Sequence, residues 1–403
     1  MGSPRLWLSL SAVVVLALTL LSACGGGDDS GGEEENPFGI TSEVVAPAAN
    51  SDAIEFAPDG RLFFVEHWTG DVRIVKDGQL LPDPFVHVDN VWAAVQVGLT
   101  GLALDPDFAT NHYVYLMYTK KTADGPPVEG HPVVVRYTEN NNTGGSPKVI
   151  IDDLPPVNDV KPFNANGSLH FGPDGYLYLT LGDYDEPTKP GPNNKPQAQD
   201  LGTPIGKILR VNKQDGSAAP DNPFVNNPDA DPRIYAYGFR AAFNFTWNPQ
   251  THKLYGTDST GNTCEGVNII VAGGNYGWPD VGEFPYSDCA AGRPNVPFTY
   301  LTRENLNPQD FDSTVGAMGM EFISGNKYPV LGDSLVVCEA RTQLLRRLVL
   351  TPPGFDASTA NDVIAKNCWL DVTVGPDGLV YYSNLTEIRK LIPPAPSTAS
   401  PTQ

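Results

Sequence analysis

Basic residues are scarce in this 403-residue chain: 26 Lys and Arg stand against 47 Asp and Glu, for a net charge of −21. That balance cannot assemble the basic face that a phosphate backbone demands, so it argues against nucleic acid as a partner. Cysteine is also scarce. There are five, none in a Cys-x-x-Cys spacing, which argues against a four-cysteine metal centre. The six histidines are scattered without ligand spacing, and His-Glu-x-x-His, Gly-x-Ser-x-Gly and P-loop motifs do not occur. No strongly amphipathic helical stretch stands out. The one long hydrophobic run, residues 6–21, is short for a membrane span.

That run follows Arg5 and ends in Leu21-Ser-Ala-Cys24. The pattern resembles the bacterial lipobox, in which the cysteine becomes the lipidated first residue of the mature protein. We therefore expect a signal peptide over residues 1–23 and a lipidated Cys24. A flexible acidic tether would follow to residue 40, with Gly25-Gly-Gly-Asp-Asp-Ser and Glu33-Glu-Glu as its composition. The mature protein would then be extracytoplasmic, held to the membrane through the lipid alone. Disulfides persist in that compartment. Cys264, Cys289, Cys338 and Cys368 allow three pairings; the preferred one is Cys264–Cys289, closing a local loop, and Cys338–Cys368.

What the chain has in abundance is turns. The 40 glycines and 38 prolines fall between β-branched and aromatic runs, as in an all-β protein. One phrase recurs: Phe56-Ala-Pro-Asp-Gly-Arg-Leu-Phe-Phe, Phe171-Gly-Pro-Asp-Gly-Tyr-Leu-Tyr and Val374-Gly-Pro-Asp-Gly-Leu-Val-Tyr. Looser copies begin at Leu104-Asp-Pro-Asp and Trp247-Asn-Pro-Gln, and a degenerate one at Phe322-Ile-Ser-Gly-Asn. Each copy predicts strand, tight turn, strand, because Pro presets φ and Asp-Gly tolerates the bend. The anchor prolines are separated by 48, 67, 76 and 127 residues, and the degenerate copy divides the last gap. A four-stranded propeller blade takes roughly 40–50 residues. The spacing thus predicts a six-bladed β-propeller of four-stranded antiparallel blades over residues 41–393, with a Pro-rich disordered tail over 394–403.

Several motifs, in one order along residues 54–393, resemble the soluble PQQ-dependent sugar dehydrogenases, the glucose/sorbosone dehydrogenase family. They are Gln96-Val-Gly-Leu-Thr-Gly-Leu-Ala-Leu-Asp-Pro-Asp-Phe108, Gly167-Ser-Leu-His-Phe-Gly-Pro-Asp-Gly175 with Leu181-Gly-Asp183, Gly206-Lys-Ile-Leu-Arg210, Tyr237-Gly-Phe-Arg240, Gly273-Gly-Asn-Tyr-Gly-Trp-Pro279 and Val374-Gly-Pro-Asp-Gly378. The resemblance implies a six-bladed propeller that oxidises aldoses or related alcohols. In that family pyrroloquinoline quinone (PQQ) lies over the propeller mouth and accepts hydride, Ca²⁺ polarises the quinone, and a His takes the hydroxyl proton. Carried onto this chain, it assigns cofactor contacts to Gln96, Arg240 and Arg341, and backbone carbonyl ligands for Ca²⁺ to Thr260 and Gly261. An external electron acceptor would complete the reaction.

The chain departs from the family pattern at four positions. Asn164 stands where the family carries its catalytic His, and a carboxamide is no general base. Cys368 and Leu370 stand where the family often carries two arginines for the cofactor carboxylates; Ala241 also replaces a usual Asn. His170, six residues past Asn164, falls inside the next strand and is expected to pack on a blade face. His67 belongs to the first blade and is expected to be a turn residue. Asp183, Asp185 and Glu186 form an acidic loop, either a solvated turn or a Ca²⁺ site, and Trp278 is expected in a blade core. The leading expectation is a PQQ- and Ca²⁺-dependent oxidoreductase with lost or altered catalysis. The alternatives are a non-catalytic propeller binding carbohydrate or a protein partner, and a hydrolytic propeller with inward carboxylates and amides.

Overall fold

The computed structural model describes residues 36–125, 128–158, 163–165, 167–259, 265–279, 299–300, 315–356 and 358–395. Over them the chain forms six antiparallel sheets arranged as a six-bladed β-propeller. Blade one is built on Ile54–Phe56, Leu62–Glu66, Asp71–Lys76 and Gln79–Leu80. Blade two is Leu99–Leu104, Tyr113–Ala123, Glu129–Asn140 and Thr143–Ile151, and blade three Leu169–Phe171, Leu177–Leu181, Lys207–Val211 and Ile234–Tyr237. Blade four is Ala242–Trp247, Leu254–Asp258, Gly266–Ile270 and Thr299–Tyr300; blade five is Ala317–Ile323, Ser334–Glu339, Leu344–Leu350 and Ser358–Lys366. Blade six takes Val372–Val374, Val380–Ser383 and Glu387–Ile392 from one end of the propeller sequence and Thr41–Pro47 from the other, with Thr41 opposite Ile392. That pairing closes the ring by completing the last blade with a strand from the other end of the propeller sequence.

Every copy of the repeated phrase is the hairpin between the first and second strands of a blade. The three full copies share one local device. Asp59, Asp174 and Asp377 each accept, through Oδ1, the amide two residues on (3.2, 3.2 and 3.0 Å). Gly60, Gly175 and Gly378 follow at φ +90°, +78° and +76°, a region only glycine enters freely. In two copies the other carboxylate oxygen accepts the hydroxyl of the tyrosine on the outgoing strand, Tyr178 (2.9 Å) and Tyr381 (3.0 Å).

Second strands such as Leu62–Glu66, Leu177–Leu181 and Ser334–Glu339 are buried at every residue, because each blade is covered on both faces by its neighbours. The core is accordingly a set of interblade clusters. Phe63, Phe85, Leu99 and Leu116 join blades one and two; Met117, Leu169, Leu179 and Ile234 join two and three; Ile54, Phe64, Tyr381 and Ile388 join six and one. Cys338, in the second strand of blade five, is disulfide-bonded to Cys368 on the approach to blade six, with Cα atoms 5.1 Å apart. This is the pairing preferred from the sequence; Cys264 and Cys289 lie outside the described residues, as do Cys24 and the whole of residues 1–35.

Candidate functional site

Antiparallel alternation sends the approach to each inner strand, and the turn from second to third strand, to the same end of the propeller. Gln96, Asn164 and Arg240 all lie on such approaches, to blades two, three and four, while Asp183 and Arg341 follow second strands. One rim therefore collects residues that are far apart in sequence.

At its centre is a buried polar knot. The Asn164 amide N–H donates to Oε1 of Gln96 (2.7 Å), and its side-chain Nδ2 donates to Oδ1 of Asp183 (2.9 Å). Oδ2 of Asp183 accepts the indole Nε1–H of Trp278 (2.8 Å), and its Oδ1 also accepts the Asp185 amide (2.9 Å). Asp183 is 1 % exposed and Asn164 6 %. Burial raises the Asp183 carboxyl above its ordinary range, against the lowering pull of the Asn164 amide and the Arg240 charge. The Asp183 N–H donates to the carbonyl of Arg240 (2.7 Å), which ties the blade-three turn to the approach to blade four. Gly182 is needed there: a Cβ would stand 2.3 Å from the Asn164 carbonyl oxygen and 2.8 Å from that of Arg240.

Arg240 is held from several sides. Its guanidinium donates to the Ser259 carbonyl (3.1 Å), lies 3.6 Å from the Asp185 carboxylate and sits over the Trp278 ring, 5.8 Å from the centroid. Its backbone N–H and that of Ala241 both donate to Asp258 (3.1 and 2.9 Å). The rim continues through Ser259, whose hydroxyl donates to Glu265 (2.6 Å), and Glu265 accepts the amides of Val315 and Gly316 (3.0 and 2.7 Å). The exposed Arg341 joins here, its N–H donating to the Val315 carbonyl (3.0 Å). Gln96 and Asn164 are thus in direct contact, Arg240 is joined to them through Asp183, and Arg341 stands further round the same rim. Thr260 and Gly261 lie outside the described residues.

Trp278 is not in a blade core. After Gly266–Ile270 the chain turns back along blade three: Tyr237 N–H donates to Gly274, Tyr276 N–H to Tyr237, and Trp278 N–H to Gly238 (2.9, 2.8 and 2.9 Å). This parallel run lifts the indole to the rim. Gln199 braces it, donating to the Trp278 carbonyl (2.6 Å) and exchanging side-chain bonds with Asn275 (3.1 and 2.8 Å). Lys207 in turn cages the turn that carries Gln199. Its buried ammonium donates to the carbonyls of Gln197, Ala198 and Ile205 (2.9, 3.0 and 2.7 Å), and burial pulls its pKa down to about 7. Sequence alone marked Gly206-Lys-Ile-Leu-Arg210 and the Gly-Gly-Asn-Tyr-Gly-Trp-Pro run as motifs but gave no hint that they form one support.

Positions 368 and 370 offer no cation, since Cys368 is in the disulfide and Leu370 is buried. His170 lies on the inner strand of blade three, donates from Nε2 to Oδ1 of Asn244 (3.0 Å) and packs edge-on against Phe245. Burial drives its pKa down to about 4, so it is neutral. Asn244 passes the chain of bonds across to Asp371 (2.8 Å), which accepts the Ile54 amide (2.9 Å). Glu55 and Glu321 face the same inner wall, and burial raises Glu55 to about 8 and Glu321 and Asp371 to about 7. Inward carboxylates and amides therefore exist, unplaced by the sequence, yet no group of three or more His, Cys, Asp or Glu could hold a metal ion among the described residues. Asp183 likewise turns inward to Asn164 and Trp278 rather than outward as a Ca²⁺ ligand.

The glucose/sorbosone dehydrogenase family model matches residues 49–391. The chain belongs to that family. Its relatives include the aldose sugar dehydrogenase YliI of Escherichia coli, 26 % identical over 332 residues covering 82 % of this chain and 85 % of that one. Quinoprotein glucose dehydrogenase B of Acinetobacter calcoaceticus is 31 % identical over 250 residues, 57 % of this chain and 50 % of that one. The human Hedgehog-interacting protein matches at 26 % over 201 residues, 44 % and 27 % of the two chains. Among solved structures, one from Thermus thermophilus described as a putative oxidoreductase (glucose dehydrogenase) superposes with a TM-score of 0.70 at 28 % identity, covering 88 % of this family member and all of that chain. The PQQ-bound aldose sugar dehydrogenase of Streptomyces coelicolor has a TM-score of 0.66 at 22 % identity over 88 % and 99 % of the two chains, a likeness of fold.

Proposed function

We propose that the rim of this propeller is the site of a PQQ- and Ca²⁺-dependent oxidoreductase acting on aldoses or related alcohols, with proton transfer crippled. The observation that carries the reading is the joining of Gln96, Asn164, Asp183, Arg240 and Trp278 into one rim knot. Family membership and the quinoprotein name of a relative support it. The residues fit the holding of an anionic quinone in part. The Arg240 guanidinium and the Arg341 side chain supply counter-charge, and Gln96 an amide at the edge. When bound, the quinone supplies the hydride acceptor that no side chain offers.

The residues do not fit proton abstraction. Asn164 has no basic lone pair. Asp183 could take a proton, but its oxygens are occupied by Asn164, Asp185 and Trp278 and it is closed to solvent. A substrate hydroxyl at this rim would lose its proton to water, and slow turnover follows. In keeping with this, the reading places the mature protein outside the cytoplasm on a lipidated Cys24 and the acidic tether.

The same Asn164–Asp183 pair favours a second reading, a non-catalytic propeller whose rim binds carbohydrate or a protein partner; a Hedgehog-interacting protein among the relatives is in keeping with it. Titration of the mature protein with PQQ, with and without Ca²⁺, followed by dye reduction on an aldose panel, separates the two. Saturable Ca²⁺-dependent binding with slow turnover is expected. No binding at any Ca²⁺ concentration would overturn the first reading and leave the second.

A further inference from the structure

His67 follows the second strand of blade one and is 1 % exposed. Both of its ring nitrogens face acceptors. Nδ1 is 2.6 Å from a carboxylate oxygen of Asp52, and Nε2 is 2.7 Å from the carbonyl oxygen of Ala94. Neither acceptor has a proton to give while Asp52 is ionised, so only an imidazolium, with N–H on both sides, satisfies both contacts. A neutral ring would set a lone pair against one oxygen or the other.

The Ala94 carbonyl belongs to a tight loop. Ala94 N–H donates to Val97 (2.7 Å), and Val97 N–H returns toward Ala94 (3.4 Å). Gln96 is carried at the tip of that loop, with its Oε1 on the Asn164 amide. Gly98 closes the fit, since a Cβ there would stand 2.7 Å from His67 Nε2. The ring is thus wedged under the loop that presents Gln96.

We propose that His67, held protonated by Asp52, is a positioning residue that fixes the Gln96 loop against Asn164, and that loss of its proton releases the loop. This extends the proposed rim function by naming a pH-sensitive support for one of its residues.

The groups around the ring agree. Asp52 is the carboxylate that faces it, and the charge of Asp52 also acts on Asp371. Glu66, the preceding residue, is engaged by the Ala49 amide, Thr69 and Arg73 (3.4, 3.3 and 3.9 Å). Residues 94–98 bring no titratable side chain, and Trp68 meets the ring edge-on at 4.7 Å. Burial pulls the imidazole pKa down, but the Asp52 charge and hydrogen bond and the Ala94 carbonyl outweigh it and raise it. With a raised folded pKa, the clamp is complete below the ordinary histidine range and is lost as pH climbs through the folded value.

The test needs no cofactor. Ring ¹⁵N chemical shifts of His67 and the hydrogen-exchange protection factor of the Asn164 amide are followed together against pH. Both ring nitrogens should carry imidazolium shifts near neutrality, and Asn164 protection should drop about tenfold in step with His67 proton loss. In His67→Gln the step should vanish. In Gln96→Ala, an exposed site that leaves the fold alone, Asn164 should be poorly protected at every pH while His67 titrates as before. A neutral His67 throughout, or Asn164 protection indifferent to its titration, would overturn the proposal. Failure of PQQ to bind would count against the rim function alone, because neither readout involves it.

Discussion

At the scale of the residue, the function proposed for this rim turns on Asn164. It lies on the approach to an inner strand, joined to Gln96 through its backbone and to Asp183 through its side chain. Only the chemistry of the side-chain head is wrong for a base. Asp183 remains where it could orient an imidazole and stabilise its charged form. We therefore expect Asn164→His to raise dye-reduction turnover on aldoses by roughly 10²-fold or more, with PQQ affinity changed only a few-fold. The rate should climb with pH as the new imidazole loses its proton. A histidine variant that binds PQQ yet turns over no faster than the parent would show that the base is not what limits the site.

The element that matters most is the segment from Val271 to Pro279. Neither of its neighbours in sequence explains it; it runs up the outer strand of the preceding blade, and Gln199 and Lys207 hold it there. Its purpose in the architecture is to deliver one N–H donor to a buried carboxylate. Trp278→Phe keeps the aromatic bulk and removes that donor, leaving Asp183 one bond short. The cost should be about 1–3 kcal/mol in urea unfolding. The Asp183 carboxyl, already raised by burial, should rise further, since the indole bond favours its charged form. An unchanged unfolding midpoint would mean that water replaces the indole.

At the scale of the whole molecule, six blades bring carboxylates from blades one, five and six to a common inner wall without a cation described among them. Asp371 and Glu321 both raise Glu55 by charge, after burial itself, to about 8. A carboxyl whose folded pKa is raised takes up a proton on folding. Its contribution is full below the ordinary carboxyl range and is lost as pH rises through about 8. Glu55→Gln, which cannot ionise, should match the parent near pH 4, below the ordinary carboxyl value, and be the more stable protein by about 1 kcal/mol or more near pH 9. Paired denaturant curves at the two pH values check this; a constant difference between the proteins would mean that Glu55 does not titrate across that window.

The sequence by itself determined the repeat. A Pro-Asp-Gly phrase is a local instruction, satisfied within five residues by an Asx bond and a left-handed glycine, so each copy could be located and counted without knowing what lay around it. Six hairpins at blade spacing leave little choice of architecture. Motif order likewise made the family legible and pointed to Gln96, Asn164 and Arg240 as rim residues. Only the tertiary structure decided which side chains meet. Trp278 and Asp183 are 95 positions apart, and Asn244 and Asp371 are 127 apart. Their contacts depend on how blades pack and where a returning segment rides. The burial that fixes the charge states of His67, Glu55 and Asp183 comes from the same packing, which no run of neighbouring residues encodes.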